Sequence, residues 1–175
     1  MSFWRRLLNK DAPRDLDEVV VNLGFLADAE ERIAEFYRAC SDAMPKEAEL
    51  WNSLAEQEVQ HADNARKMIE RITRAPSQFK PGIACSTVTI RMFAMEMQGL
   101  LERMREGKIP QNELFSVALE IESSAIEIGY CKLAKTQDGI FNMLARQNDN
   151  ESTKHKSEIS SRMTAVSIAQ AIQAT

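Results

Sequence analysis

Four residues have the types and the spacing of metal ligands. Glu58 and His61 are three residues apart, so on a helix both side chains leave the same face and can reach one ion. Glu30 and Glu122 each stand among apolar residues at helical spacing. A buried carboxylate costs several kcal/mol unless it takes up a proton or meets a cation. The four residues therefore predict a metal site inside the protein, with a buried acid–imidazole hydrogen bond as the alternative for Glu58 and His61.

The positions of these acids on their helices separate them from ordinary surface acids. Residues three and four apart share a helix face, and the neighbours of Glu30 at this spacing are Leu26, Ala27, Ile33 and Ala34. Glu31 and Glu56, by contrast, are expected to face solvent. Carboxylate oxygen and imidazole nitrogen suit iron, manganese or zinc. The residues therefore predict a divalent metal, with iron, manganese and zinc as the candidates.

Helical periodicity accounts for nearly the whole chain. The sequence has only six glycines and five prolines, too few for a sandwich or barrel with a turn every ~8–12 residues. An all-α fold is predicted, with two antiparallel helical hairpins and an extra helix in the crossover between them. The predicted helical stretches are 16–43, 46–74, 86–105, 112–135 and 139–174.

Length and composition limit the organisation of the protein. With 175 residues, a single domain over 1–175 is expected, with a flexible or amphipathic segment at 1–15 and a connector at 75–85. The net charge of −4 argues against a nucleic-acid partner. No apolar run approaches the ~18 residues of a membrane span. Three cysteines without a pairing motif fit a reducing cytoplasm.

The two hairpins have related sequences. Pairs of identical residues recur at offsets of 92, 93 and 94 and are Glu30 with Glu122, Tyr37 with Tyr130, and His61 with His155. The drift of the offset indicates a small insertion. The two tyrosines are either hydrogen-bond donors to the carboxylates or ordinary core residues.

Three passages define a family pattern. They are Glu30 followed seven residues later by Tyr37, Glu58-x-x-His61, and Glu122 within 118–127. Together they resemble the rubrerythrin-like diiron-carboxylate proteins of the ferritin-like superfamily, and the likeness covers residues 16–165. The resemblance implies a ferritin-like four-helix bundle. It also implies that Glu30, Glu58 and His61 hold one iron and Glu122 the other, with Glu58 bridging.

The fifth helical stretch departs from this family pattern. A second Glu-x-x-His is expected there, but Ser152 stands three residues before His155 and the nearest acid, Glu151, stands four before it. Glu151 and His155 can still chelate one ion from the same side of a helix. The apolar stripe directs Ser152 inward instead, unless a bulge of one residue restores Glu151 to the site. Without the bulge, the second metal position lacks a bridging carboxylate and could be empty, or hold zinc or a single iron.

The resemblance suggests an activity together with its co-reactants. It implies a nonheme dimetal oxidoreductase of peroxidase or ferroxidase type, which reacts iron with peroxide or dioxygen. The chain lacks the Cys-x-x-Cys rubredoxin module of a complete rubrerythrin, so an external electron donor is expected. Two alternatives stay open: a helical scaffold with a degenerate or single-metal site, and an iron-handling protein without turnover. A homodimer through the methionine-rich third stretch is also expected.

Overall fold

The computed structural model describes residues 15–83 and 86–173. Within them the fold is all-α, with five α-helices and one short two-stranded sheet. The helices are α1 (Leu16–Ala43), α2 (Ala48–Arg74), α3 (Thr87–Arg105), α4 (Leu114–Ile128) and α5 (Gly139–Gln173). The strands are β1 (Phe79–Pro81) and β2 (Ala134–Thr136). The predicted N-terminal segment at 1–15 lies outside the described residues except for Asp15.

Polar side chains cap the starts of three helices. The carboxylate of Asp15 accepts a hydrogen bond from the amide of Glu18 at 2.9 Å, and Asp138 does the same for the amide of Phe141 at 2.8 Å. The Ser86 hydroxyl accepts from the Thr89 amide at 3.2 Å. Each cap satisfies an amide that has no partner within its own helix.

The fourth helix is shorter than the sequence predicts. It ends at Ile128 rather than near residue 135, because Gly129 has a φ of +67° and turns the chain out of the helix. A 3₁₀ turn at Tyr130–Lys132 follows, and the Asp149 carboxylate accepts from the Tyr130 amide at 2.6 Å. The one-residue insertion that the drifting repeat indicates lies before this turn, between Glu122 and Tyr130, in the segment where α4 ends.

Consecutive helices pack as two hairpins that meet through their second members. Helix α1 packs against α2 and α3, α4 packs against α5, and α2 packs against α5. The strand β1, in the predicted connector, pairs antiparallel with β2, with Phe79 opposite Thr136. The Gly82 amide donates to the Leu133 carbonyl at 2.9 Å, and a Cβ at Gly82 would lie 1.9 Å from the Lys132 carbonyl oxygen. Only glycine allows this close approach between the connector and the second hairpin.

Two surface features bear on the expected partners. On α3, Met92 and Met95 are exposed while Met97 is buried in the core. The methionines of this helix therefore lie on two faces, one packed against the core and one open to solvent. None of the described helices combines the length and the apolarity needed to cross a membrane. The homodimer stays a prediction.

Candidate metal centre

Five of the predicted site residues meet in the interior between the two hairpins. Their side chains form two groups in which one ligand atom per residue lies within 4.8 Å of the others. The first position comprises Glu30, Glu58 and His61, and the second position comprises Glu58, Glu122 and His155. Each of these five residues is at most 2% exposed. Glu58 belongs to both positions, which is the bridging location that the sequence resemblance implies.

The first position is built entirely from one hairpin. Glu30 is on α1, and Glu58 and His61 are one turn apart on α2. Nδ1 of His61 lies 2.8 Å from Oε2 of Glu58. The i, i+3 spacing therefore directs an imidazole and a carboxylate into the same small volume, as expected from the helix geometry.

The second position joins the two hairpins. Nδ1 of His155, on α5, lies 2.9 Å from Oε1 of Glu58 and 3.4 Å from Oε1 of Glu122, which is on α4. Despite the short distances, Nδ1 of His155 and Oε1 of Glu58 have no hydrogen-bond partner and are fully buried. A nitrogen and an oxygen that point into one volume and have no well-aligned hydrogen bond are suited to a cation between them, once the imidazole has lost its proton. The donor set therefore fits a metal ion.

The tyrosines cross between the hairpins and hold the terminal carboxylates. The Tyr37 hydroxyl on α1 donates to Oε1 of Glu122 at 2.6 Å, and the Tyr130 hydroxyl donates to Oε1 of Glu30 at 2.7 Å. All four side chains are buried. Each tyrosine therefore fixes the glutamate of the other hairpin, and of the two roles left open by the sequence the structure shows hydrogen bonding to the carboxylates.

The outer nitrogens of the two histidines have different partners. Nε2 of His61 lies 2.9 Å from Oε2 of Glu151, and Nε2 of His155 lies 3.2 Å from Oε1 of Gln57. In each case Nδ1 faces the cluster and Nε2 faces a polar group behind the ring. Such a partner fixes the tautomer of a metal-binding imidazole. The imidazole rings are stacked with centroids 5.4 Å apart.

Ser152 occupies the inward position on α5 and Glu151 does not. Ser152 is buried, and its hydroxyl donates to the Asn148 carbonyl at 3.1 Å. Helix α5 is α-helical throughout Gly139–Gln173, without a π-bulge. The Glu151 side chain is 22% exposed and lies outside both groups of candidate ligands. In this structure Glu151 contacts the outer nitrogen of His61, and we expect it to act there rather than as a ligand.

Three further polar residues support the cluster. Asn64 donates to the Asn148 side chain at 2.9 Å, and Asn148 donates to the His61 carbonyl at 3.1 Å. These bonds fasten α2 to α5 beside the site. Neither Asn64 nor Gln57 was among the residues predicted from the sequence. The repeat could have indicated Gln57, because it stands 94 residues before Glu151, the same offset as His61 and His155.

Burial and mutual charge shift the protonation of the cluster. Burial, followed by the charge of Glu58, raises the pKa of Glu30 well above its usual value, and the same two causes raise the pKa of Glu122 to about 7. Burial alone would lower the pKa of His61, but the adjacent Glu58 raises it to about 9. In the same way Glu122 and Glu58 raise the pKa of His155 to about 10. The pKa of Glu58 is well below its ordinary range because His61 and His155 outweigh the effect of burial.

Comparison with known proteins returned no match to a family model, to a curated protein or to a solved structure. Support for a metal site therefore comes from the chemistry and the geometry of this chain. It consists of the two groups that share Glu58, the crossed tyrosines, and the polar partner behind each histidine.

Proposed function

We propose that the protein is a nonheme dimetal-carboxylate protein of rubrerythrin-like type, with iron as the expected metal. In this proposal α1, α2, α4 and α5 form a ferritin-like four-helix bundle around the two positions. The main support is the bridging placement of Glu58 with two buried donor atoms, Oε1 of Glu58 and Nδ1 of His155, that lack hydrogen-bond partners. Four-helix bundles that hold two metal ions use the same elements, inward glutamates and the Glu-x-x-His spacing on facing helices.

The charges in the cluster favour a metal over a metal-free network. Glu30, Glu58 and Glu122 are nearly fully buried and close together, so ionising all three without a cation is strongly unfavourable. In the absence of metal the cluster must keep protons on both histidines and on part of the acids. Two divalent cations replace these protons and allow all five side chains to bind through their lone pairs.

Each part of the cluster has a defined task in this proposal. Glu58 would be shared by both ions, Glu30 and His61 would hold the first, and Glu122 and His155 would hold the second. Tyr37 and Tyr130 hold the terminal carboxylates in place and so limit their movement. When bound, iron supplies the redox chemistry toward peroxide or dioxygen. Turnover would also require a source of electrons.

Metal analysis of matched variants tests the proposal. Glu58→Gln keeps the size of the side chain and removes its charge, and Glu56→Gln is the control because Glu56 is exposed on the same helix. We expect two metal equivalents in the wild type and in Glu56→Gln, and loss at both positions in Glu58→Gln. Circular dichroism establishes that each variant is helical. Equal metal content in the two variants would refute the assignment.

One observation favours a second candidate function. Ser152 leaves the second position without the carboxylate that α5 supplies in the family pattern, which suits a single-metal site or iron handling without turnover. Addition of Fe²⁺ and peroxide or dioxygen to the metal-free protein separates the two. Oxidation of iron over many equivalents supports the oxidoreductase, and binding without turnover supports iron handling.

A further inference from the structure

The two metal positions differ in how their histidines are supported. Behind His61 stands the carboxylate of Glu151, and behind His155 stands the neutral amide of Gln57. A carboxylate that accepts the outer N–H of a ligating imidazole raises the basicity of the ring and fixes its orientation. An amide oxygen fixes the orientation but carries no charge. The partner behind the ring therefore adds more donor strength to His61 than to His155.

The repeat locates the origin of this difference at one pair of adjacent residues. At the offset of 94 that relates the histidines, Glu58 corresponds to Ser152 and Gln57 corresponds to Glu151. The second hairpin thus has its acid one residue earlier, where the helix directs it to the outer face of His61 instead of into the cluster. The Glu151 carboxylate therefore stays near the two metal positions, but it contacts His61, a ligand of the first position.

The ligand residues of the first position also lie closer together in the sequence than those of the second. The three ligand residues of the first position come from α1 and α2, whereas the second position needs Glu58 from one hairpin with Glu122 and His155 from the other. The second position receives no carboxylate from α5, because the inward residue there is Ser152 and Glu151 lies outside both groups. The charged partner behind His61 and the local origin of the ligands both favour the first position.

We propose that Glu151 is a positioning residue that sets the order of metal loading, so that the first position fills before the second. The inference rests on the proposed dimetal function and adds a rank order to it. Removal of the Glu151 charge weakens the first binding step by about 10- to 100-fold, the usual effect of losing such a partner. The second step changes much less, because Glu151 does not contact the second position.

Titration of the metal-free full chain with Co²⁺ tests this order. Calorimetry measures the two steps, and the visible absorption of Co²⁺ reports the ligands at each step. The variants are Glu151→Gln, the control Glu158→Gln, which alters an exposed acid on the same helix, and Gln57→Glu, which places a carboxylate behind His155. We expect two unequal steps in the wild type, a weaker first step in Glu151→Gln, and a stronger second step in Gln57→Glu.

The outcomes separate this inference from the proposed function. If the wild type binds no Co²⁺, the dimetal proposal fails and the order of loading fails with it. If the wild type binds two ions in equal steps, or if Glu151→Gln weakens both steps alike, the dimetal proposal stands and the order of loading is refuted. Because Gln57→Glu adds a charge and is expected to gain affinity, a general loss of folding cannot imitate the expected result.

Discussion

Metal binding should expel protons from the cluster, and their number follows from the structure. At pH 7 the metal-free protein holds a proton on His61 and on His155, whose pKa values are raised to about 9 and about 10. Glu122, with a pKa of about 7, holds about half a proton. Burial and the charge of Glu58 raise the pKa of Glu30 well above its ordinary value, which favours its protonated form. Ligands must be deprotonated to bind, so filling both positions releases at least about two protons.

The same pKa shifts determine whether metal affinity rises or falls with pH. Because the bound state carries fewer protons than the free state, affinity rises with pH until the imidazoles lose their protons, near pH 9 to 10. With at least about two protons released, the combined constant for two metals rises at least about a hundredfold per pH unit around pH 7. The gain levels off above pH 10, where the free cluster is already deprotonated.

Calorimetric titration with Zn²⁺ measures this proton count directly. The heat is recorded at pH 7 in several buffers with different ionisation enthalpies, and the slope against those enthalpies gives the protons released. Glu58→Gln is the control, since it is expected to lose metal binding and with it the proton release. A release of less than one proton per two metals bound would show that the cluster is not protonated as described, and would refute the reasoning.

Urea unfolding of the metal-free protein tests two further substitutions, one at a hydrogen bond within the site and one at the cap of α5. Tyr37→Phe removes the hydrogen bond to the Glu122 carboxylate and should lower the free energy of unfolding by about 1–3 kcal/mol; an unchanged midpoint would contradict the role of the hydroxyl. Asp138→Ala removes the cap of α5 and the partner of Arg71, with an expected loss of about 1–2 kcal/mol. Asp63→Ala, at an exposed position, is its control and should change stability by less than about 0.5 kcal/mol.

Helical periodicity was sufficient to place the inward-facing acids. Glu30, Glu58 and Glu122 share faces with apolar residues, and the structure buries all three. The period of 3.6 carries this information because it fixes which face a residue occupies, independent of partners. The all-α fold follows from the same pattern. The ferritin-like assignment, the reaction with peroxide or dioxygen, the homodimer and the cytoplasmic location stay predictions.

Features that depend on contacts between distant helices could not be derived in this way. The end of α4 at Ile128 depends on the positive φ of Gly129 and on the Asp149 carboxylate that binds the turn, neither of which alters the apolar pattern. The contact of Glu151 with His61 joins residues 90 positions apart. Helical periodicity predicted that the Glu151 side chain points partly away from the core. It could not predict that this side chain contacts His61.

The composition of the second position has a mechanical consequence. An ion held between Glu58 on α2 and the pair Glu122 and His155 would be a crosslink between the two hairpins. Loss of that ion would remove the crosslink while leaving each hairpin intact. Opening of the interface between α2 and α5, seen as faster amide hydrogen exchange there, would then report the occupancy of one metal position.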